Sequence, residues 1–527
     1  MVQYTQRTSL KKGYGHIKMK RISEVVTIKE IRKWKNGNTI TISAGTGKGK
    51  SYFIKNNLYA FAKKENKKIL FLIHRTNCLN QFQSEIDKDK KNDVIDMMTY
   101  QKIEYDLLNN INIDFSKYQY IVCDEFHYFL SDASYNFVTD ISLNMILDAK
   151  DNIKIFMSAT GQYTKGYING IKKIETIDYE IPLEYEFIEN LTFFYKDSAL
   201  DRFVKGAIKT NNKAIIFIDS AKKAYELYQR YEKYCLFNCS RSNNQYYKYV
   251  KKNEITKMLE KEKFDKQILI TTTAMDAGVN IIDNKVNNII CDVKDIGVLI
   301  QCMGRKRIQN KNDKIELWVK AINNKQLGGM KTQLKRKIEM ADYFKKHKDI
   351  DELIKKYPRK YDNNGMIYDI STGEKDKCSK KINELAYYKC KLDMGEIEIM
   401  KRYGNYGYCK YLSDIFGIAT VEDNGYINYN YLTIADDEDF EKDEQNNNKL
   451  IKYLDSVVGK KLFKREQEKI KEVFKKNGLK ARTMGINTLN GNLKDRQLPY
   501  IIESERENKR KSKSYKKTYW IIGKIMY

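Results

Sequence analysis

The chain's most reactive chemistry begins in one short stretch, Ala44-Gly45-Thr46-Gly47-Lys48-Gly49-Lys50-Ser51. Glycines let successive backbone N–H groups turn toward phosphate oxygens with no Cβ in the way. A lysine at the end of such a loop supplies a point charge for β- and γ-phosphates, and the serine after it offers a hydroxyl to Mg²⁺. Gly45, Thr46, Gly47, Lys48, Gly49, Lys50 and Ser51 are therefore the candidate phosphate-binding residues. The general pattern G-x-x-x-x-G-K-[ST] has glycine where Ala44 stands, so it is met only approximately. A second stretch, Tyr120-Ile121-Val122-Cys123-Asp124-Glu125-Phe126-His127, is an apolar run ending in two adjacent carboxylates. Carboxylates at the end of a buried strand are costly unless they have work to do. In phosphoryl transfer the first holds Mg²⁺ and the second activates the attacking water, which assigns Asp124 to the metal and Glu125 to the water. A third run, Lys154 to Met157, ends in Ser158-Ala159-Thr160, whose hydroxyls could relay the state of a γ-phosphate site.

These residues need strands to deliver them and helices to carry them away. Thr39 to Ser43 alternates in the β-rich manner, and Lys50 opens a helical pattern running through Tyr59 to Ala62. Strand, tight loop and helix form the context a phosphate loop requires. Lys68 to Ile73 is continuously apolar, as expected of a strand buried on both faces of a parallel sheet. Arg75-Thr76-Asn77 follows it, and Thr99-Tyr100-Gln101 follows a shorter run. Both lie at the carboxyl edge, where open α/β sheets place ligands. They hold a phosphate backbone or are simply turn residues; the residues alone leave both readings open.

The three stretches together resemble the superfamily-2 helicases and translocases with a DExH box. Ala44 to Ser51 matches that family's first motif, A-x-x-G-x-G-K-[ST], including the alanine. Asp124-Glu125-Phe126-His127 matches the DExH box, Ser158-Ala159-Thr160 the third motif, and His74-Arg75-Thr76-Asn77 loosely a nucleic-acid-contacting segment. The resemblance implies two tandem lobes, and a second set of runs follows. Lys213 to Ser220 begins a new buried strand, and Gln267 to Thr273 another. The latter continues into Ala274 to Asn280 and resembles the fifth motif, with Thr272 and Asn280 making polar contacts, Gly278 permitting the turn and Asp276 near the ribose. Ile300-Gln301-Cys302-Met303-Gly304-Arg305-Lys306-Arg307 resembles the sixth motif, Q-x-x-G-R-x-x-R, with its second arginine one residue early. The resemblance gives Gln301, Arg305 and Arg307 catalytic roles on the γ-phosphate. It makes Ser158 and Thr160 coupling residues, and Arg75, Asn77, Thr99, Thr272 and Asn280 nucleic-acid contacts. ATP and Mg²⁺ are the implied cofactors, with lobes that close on ATP and reopen after hydrolysis.

Composition bounds the partners. The 527 residues carry a formal charge of +28, which asks for a polyanion. No run of eighteen apolar residues and no apolar leader occur, so a soluble, cytoplasmic protein with no membrane partner is expected. The nine cysteines form no C-x-x-C, and with only four histidines neither a zinc site nor a histidine-rich nuclease centre is indicated. Charge is concentrated at the end: residues 449–527 hold 22 Lys+Arg against 8 Asp+Glu, half the chain's excess. There, helical runs at Leu462 to Phe474 and Ile486 to Lys494 precede two strands, Tyr500 to Ile502 and Thr518 to Ile522. The order looks like a winged helix. Asn487, Thr488, Asn490 and Lys494 would face a nucleic-acid groove, and Lys509, Arg510, Lys511, Lys513, Lys516 and Lys517 would lie on the wing. A basic loop in a protein-binding hairpin is the alternative.

The expected class is α/β: two tandem RecA-like parallel-sheet lobes, an α-rich accessory region and a C-terminal winged-helix-like domain. The expected boundaries are a basic lead-in over 1–35, lobe one over 36–195, lobe two over 196–325, the accessory region over 326–435, an acidic and Asn-rich linker over 436–448, and the winged helix over 449–527. The expected function is an ATP-dependent helicase or translocase acting on DNA ahead of RNA, in replication, recombination or repair, with partner proteins of those processes. A phage or mobile element working in a bacterial host's cytoplasm is the expected setting. An RNA helicase is one alternative; an ATP-switched DNA-binding initiator or defence sensor that separates no strands is the other.

Overall fold

The computed structural model describes residues 21–525, excluding 46, 274–279, 311, 359–365, 372–377, 419, 422–426, 429–431, 436–437, 480, 482, 497, 511 and 513. Thr46, Asp276, Gly278, Lys511 and Lys513 therefore lie outside the described residues, as does most of the basic lead-in. The chain divides into two compact units, residues 1–128 with 141–183, and residues 129–140 with 184–527.

The first unit is built on six parallel strands: β1 (Thr39–Ser43), β2 (Ile69–Ile73), β3 (Ile95–Thr99), β4 (Tyr120–Asp124), β5 (Ile153–Ser158) and β6 (Thr176–Glu180). Their order across the sheet is β3-β2-β4-β5-β1-β6. Every residue of β2 and β5 is buried, as their unbroken apolar runs require. The polar exception in β5, Lys154, snorkels its ammonium to the Ala149 carbonyl at 3.0 Å. Register puts Ser43 beside Ser158, and Asp124 beside Met157. The phosphate loop, the carboxylate pair and the hydroxyl pair thus emerge together from the carboxyl ends of three adjacent strands.

The second unit has a seven-stranded sheet: β7 (Ile188–Phe194), β8 (Lys213–Ile218), β9 (Cys235–Asn238), β10 (Ile268–Thr271), β11 (Val286–Asp292), β12 (Ile315–Lys320) and the short β17 (Thr433–Ile434). The order is β17-β7-β12-β11-β8-β10-β9, with every pairing parallel. Both units are RecA-like lobes. The second begins earlier than the boundary expected between residues 195 and 196, because β7 is an inner strand of this sheet.

The α-rich region does not form a core of its own. Helices Asn324–His347, Glu384–Arg402 and Gly407–Ile415 place Leu327, Ile397, Met400, Tyr408 and Leu412 in the same buried cluster as Phe193, Ile289 and Leu317 of the sheet. Gly407 is needed for this packing: a Cβ there would stand 2.0 Å from the Met400 carbonyl oxygen. Two small hairpins complete the region, β13 (Ile367–Ser371) with β14 (Cys378–Ile382), and β15 (Thr420–Val421) with β16 (Ile427–Asn428).

The acidic, Asn-rich stretch read as a linker is corrected by the structure. A helix runs from Glu438 to Val457, and its Leu450 and Leu454, one turn apart, anchor it in the C-terminal core. Acidic residues open this helix, where the dipole favours them. Helices Lys464–Lys476 and Ile486–Asp495 and the antiparallel pair β18 (Tyr500–Arg506) and β19 (Thr518–Lys524) share that core through Ile470, Phe474, Leu489, Leu493, Ile502 and Ile522. Leu462 bridges to Trp520 between the first two helices, so the order is helix, bridging strand, helix, helix, hairpin. Among the described residues no helix is long and apolar enough to cross a membrane.

Candidate active site

The loop after β1 has the backbone a phosphate cradle needs. Gly47 and Gly49 sit at φ +80° and +90°, where any side chain is strained, and among the described residues beyond their chain neighbours no atom lies within 4 Å of a Cβ built on either. Gly49 precedes the helical turn Lys50–Tyr52, which runs through a π segment, Phe53–Leu58, into Tyr59–Lys64. Backbone donors at a helix start together with open space above the glycines suit a nucleotide's phosphates. The Lys50 ammonium donates to the Ala44 carbonyl at 3.1 Å and stands 3.4 Å from Glu125 Oε1. Ser51, beside it, is exposed.

The carboxylate turn is strained at its key residue. Glu125 adopts φ +49°, a left-handed conformation that costs a non-glycine residue about 1–3 kcal/mol. The turn places the Glu125 carboxylate within reach of both Lys50 and Ser158. The Ser158 hydroxyl is fully used: it donates to Glu125 Oε2 at 3.3 Å, and its Oγ accepts from the Thr160 N–H at 3.1 Å and lies 2.8 Å from His127 Nδ1. One donor and two acceptor positions exhaust a hydroxyl, so a proton on His127 Nδ1 completes the set. His127 Nδ1 is also 3.2 Å from Glu125 Oε2. Movement of Glu125 is therefore felt by Ser158, His127 and the Thr160 backbone together.

Asp124 differs from Glu125. Its Oδ1 is buried and accepts no hydrogen bond among the described residues. Burial, and next the neighbouring Glu125 charge, push its carboxyl up to about 7. A buried carboxylate oxygen with no donor suits a hard divalent cation, which would supply the missing positive partner. Asp124 and Ser51 would hold Mg²⁺ there, and the metal would neutralise charge on the transferring phosphate.

Other expected residues of this unit have mixed placements. Thr99 caps the helix Tyr100–Leu108 by accepting from the Lys102 N–H at 3.1 Å, so its hydroxyl serves the turn. Arg75 stands at the N-cap of the helix Thr76–Lys88, which includes Asn77. His127, though inside the quoted motif, carries more of the network than the sequence alone indicates. Tyr100, read in the sequence only as part of a segment that holds a phosphate backbone or turns, is buried and donates to the Asp124 carbonyl at 2.9 Å, a bond that a tyrosine after a strand does not signal.

In the second unit, Gln301 lies in the last turn of the helix Ile296–Met303, whose N-cap Asp295 accepts from the Val298 N–H at 2.9 Å and from Lys389 at 3.2 Å. The accessory helix Glu384–Arg402 thereby supports the element carrying Gln301. Arg305 is buried and donates to Gln301 Oε1 at 3.3 Å, while its Nε reaches no acceptor among the described residues. Arg307 donates through Nε to Asn280 Oδ1 at 2.8 Å, and Asn280 donates to Glu262 at 2.9 Å. Arg307 and Asn280 are thus joined to each other, with Lys306 tied to Asp313 between the arginines at 2.6 Å. Thr272 is buried, its N–H on the Asn238 carbonyl at 3.2 Å.

At the C-terminal end Asn487 is exposed, and Lys494 lies in the same helix, Ile486–Asp495. Lys509, Arg510, Lys516 and Lys517 are exposed in the β18–β19 connection. Asn490 is a correction: its amide donates to the Ile502 carbonyl at 2.9 Å and accepts from the Ile502 N–H at 2.8 Å, pairing the strand edge instead of facing a groove.

Phosphate loop, carboxylate pair and hydroxyl sensor at one edge of a parallel sheet define an ATP-hydrolysing site of the superfamily-2 helicase class. Residues 4–162 match the family described as type III restriction enzyme, res subunit, a helicase-type domain of that class. No curated protein matches the chain. Similar solved structures include Saccharomyces cerevisiae Dbp5 bound to RNA and ADP BeF3, at 16% identity and TM-score 0.41, over 54% of this chain and 79% of that one. The Escherichia coli DEAH/RHA helicase HrpB is similar at 12% identity and TM-score 0.40, over 58% of this chain and 43% of that one. The DUF1998 helicase MrfA bound to DNA and AMPPNP gives 14% and 0.40, over 56% and 47%.

Proposed function

We propose that the chain is an ATP-driven translocase or helicase acting on DNA, the two RecA-like lobes powering movement and the C-terminal unit gripping the duplex. The observation that carries the DNA reading is the order helix, bridging strand, helix, helix, hairpin, which is that of a winged helix, with Lys509, Arg510, Lys516 and Lys517 exposed on its hairpin. In this reading Glu125 activates the attacking water, Asp124 and Ser51 hold Mg²⁺, and Lys50 neutralises the β- and γ-phosphates. Arg305, whose buried Nε reaches no acceptor among the described residues, supplies further positive charge to the transferring phosphoryl. Ser158, His127 and Thr160 report the state of Glu125 to the rest of the lobe.

The test is strand displacement with DNA and RNA duplexes carrying 3′ or 5′ tails, alongside ATPase measured with each nucleic acid. ATP-dependent unwinding of the DNA duplexes, with greater ATPase stimulation by DNA, is the expected result. Unwinding confined to RNA refutes the substrate. Nucleotide-dependent DNA binding with no turnover favours the ATP-switched alternative.

A further inference from the structure

The carboxylate turn is held from beneath by one helix, Tyr100–Leu108, at two points a single turn apart. The Tyr100 hydroxyl, at the first helical position, donates to the Asp124 carbonyl at 2.9 Å. Glu104, at i+4, accepts from the Tyr128 hydroxyl at 3.1 Å. The rings of Tyr100 and Tyr128 stack between these bonds, with centroids 5.0 Å apart and planes at 8°. Ser142 also donates to Glu104, at 2.8 Å. All four side chains are buried, Tyr100, Tyr128 and Ser142 completely and Glu104 to 3% exposure. The helix thus grips both ends of the turn from Asp124 to Tyr128.

The sheet holds that turn on one side: Asp124 pairs with Met157, and the Phe126 N–H reaches the Met157 carbonyl at 3.2 Å. Pairing of β4 with β2 ends at Cys123, one residue before Asp124. Glu125 then enters the left-handed region, which a side chain occupies only when its surroundings over-determine it. Rotation of the Asp124–Glu125 peptide would swing both carboxylates at once, one away from its metal position and one away from Lys50 and Ser158. A hydroxyl on the Asp124 carbonyl fixes that peptide plane. A buried glutamate is a poor choice for stability alone, since an apolar side chain of similar size would fill the space without desolvating a charge. Its two hydroxyl donors make sense if the orientation of Tyr128 matters.

We infer that Tyr100 and Glu104 are positioning residues for the Asp124–Glu125 pair, setting the carboxylates for Mg²⁺ and water through the backbone of the turn. The inference rests on the assignment of Asp124 to the metal and goes beyond it by naming what aims the ligand. Support of this kind behind a metal ligand is worth roughly 10–100-fold in metal affinity or activity.

The test uses the full chain and Mn²⁺ as a paramagnetic probe, titrated by electron paramagnetic resonance in the presence of AMP-PNP. Tyr100→Phe keeps the ring stack and removes only the hydroxyl. It should bind Mn²⁺ roughly tenfold more weakly, bind AMP-PNP without metal as wild type does, and melt within a few degrees of it. Glu104→Gln keeps an acceptor for both hydroxyls and should stay close to wild type, whereas Glu104→Leu should share the Tyr100→Phe defect. A Tyr100→Phe titration that superimposes on wild type overturns the positioning role and leaves the ATPase reading intact. A wild-type protein that binds no Mn·AMP-PNP and releases no phosphate overturns the site assignment itself.

Discussion

Lys410 lies in the helix Gly407–Ile415, buried among Cys409, Tyr411 and Leu412, its ammonium 3.4 Å from the Tyr403 carbonyl. Burial pulls its pKa from 10.5 down to about 8, a displacement that the partial charges of Cys409 and Asp414 only partly oppose. A lysine depressed in the folded state costs stability wherever both folded and unfolded forms are protonated. The cost is complete below about pH 8, fades as pH rises toward the unfolded value of 10.5, and vanishes above it. At about 1.4 kcal/mol per unit, the displacement amounts to roughly 3 kcal/mol near neutral pH. Lys410→Met, which keeps an unbranched chain of similar reach, should therefore stabilise the second unit near pH 7 by up to that amount. The gain over wild type should shrink steadily between about pH 8 and pH 10.5 as wild type catches up. Parallel thermal melts of the two proteins across that range read it directly. A variant no more stable at neutral pH, or a difference that stays constant with pH, refutes the reasoning. A constant difference would mean that packing, and not the buried charge, sets the stability at this position.

Three further outcomes can be checked on the same purified protein. Gly161→Ala would put a Cβ 2.2 Å from Cζ of Phe126, inside the carboxylate turn; it should lower stability by about 1–3 kcal/mol and slow ATP turnover, measured by melting and phosphate release. Glu125→Gln should reduce turnover by roughly 10²-fold or more while nucleotide binding persists, and near-normal phosphate release would remove Glu125 from its assigned role. Replacing Lys516 and Lys517 with alanine should weaken DNA binding across sequences and flatten the slope of log affinity against log salt by about 1–2, as expected if each neutralises one phosphate. An unchanged slope in fluorescence anisotropy titrations would take the hairpin off the DNA.

The site was readable where residue type and element boundary coincide. Asp124, Glu125 and Ser158 each stand at or just beyond the end of a strand whose run is visible in the sequence, and Lys50 opens the helix that the glycine loop joins to β1, so spacing places them at one sheet edge. What binds them into a network was not readable. The left-handed Glu125, the saturated Ser158 hydroxyl and the Tyr100 bond to a backbone carbonyl depend on angles that no periodicity reports. Composition misled at residues 436–448, because acidic and asparagine-rich residues look the same at the start of a helix as in a linker, and the anchoring Leu450 and Leu454 come later. Asn490 misled in the opposite sense: a polar residue on the expected recognition helix spends both ends of its amide on Ile502. The accessory helices carry their apolar stripes plainly, but the sequence does not say that those stripes finish the second lobe's core.

The polypeptide passes from one compact unit to the other at three places, between residues 128 and 129, 140 and 141, and 183 and 184. A single protease cut after Leu183 therefore yields fragments 1–183 and 184–527 with no covalent bond between them, yet the first fragment still carries residues 129–140 of the second unit, so non-covalent packing of that strip holds the two together and the nick shows only on a denaturing gel. A gene fragment ending at Leu183 keeps the dozen residues from Phe129 to Asp140 without Tyr368, which donates to Asp140, and without Asn383, which donates to Thr139. The motor cannot be dissected into its halves by choosing one boundary. Trading lobes between related chains would require exchanging that internal strip along with the second half, which a single crossover does not do.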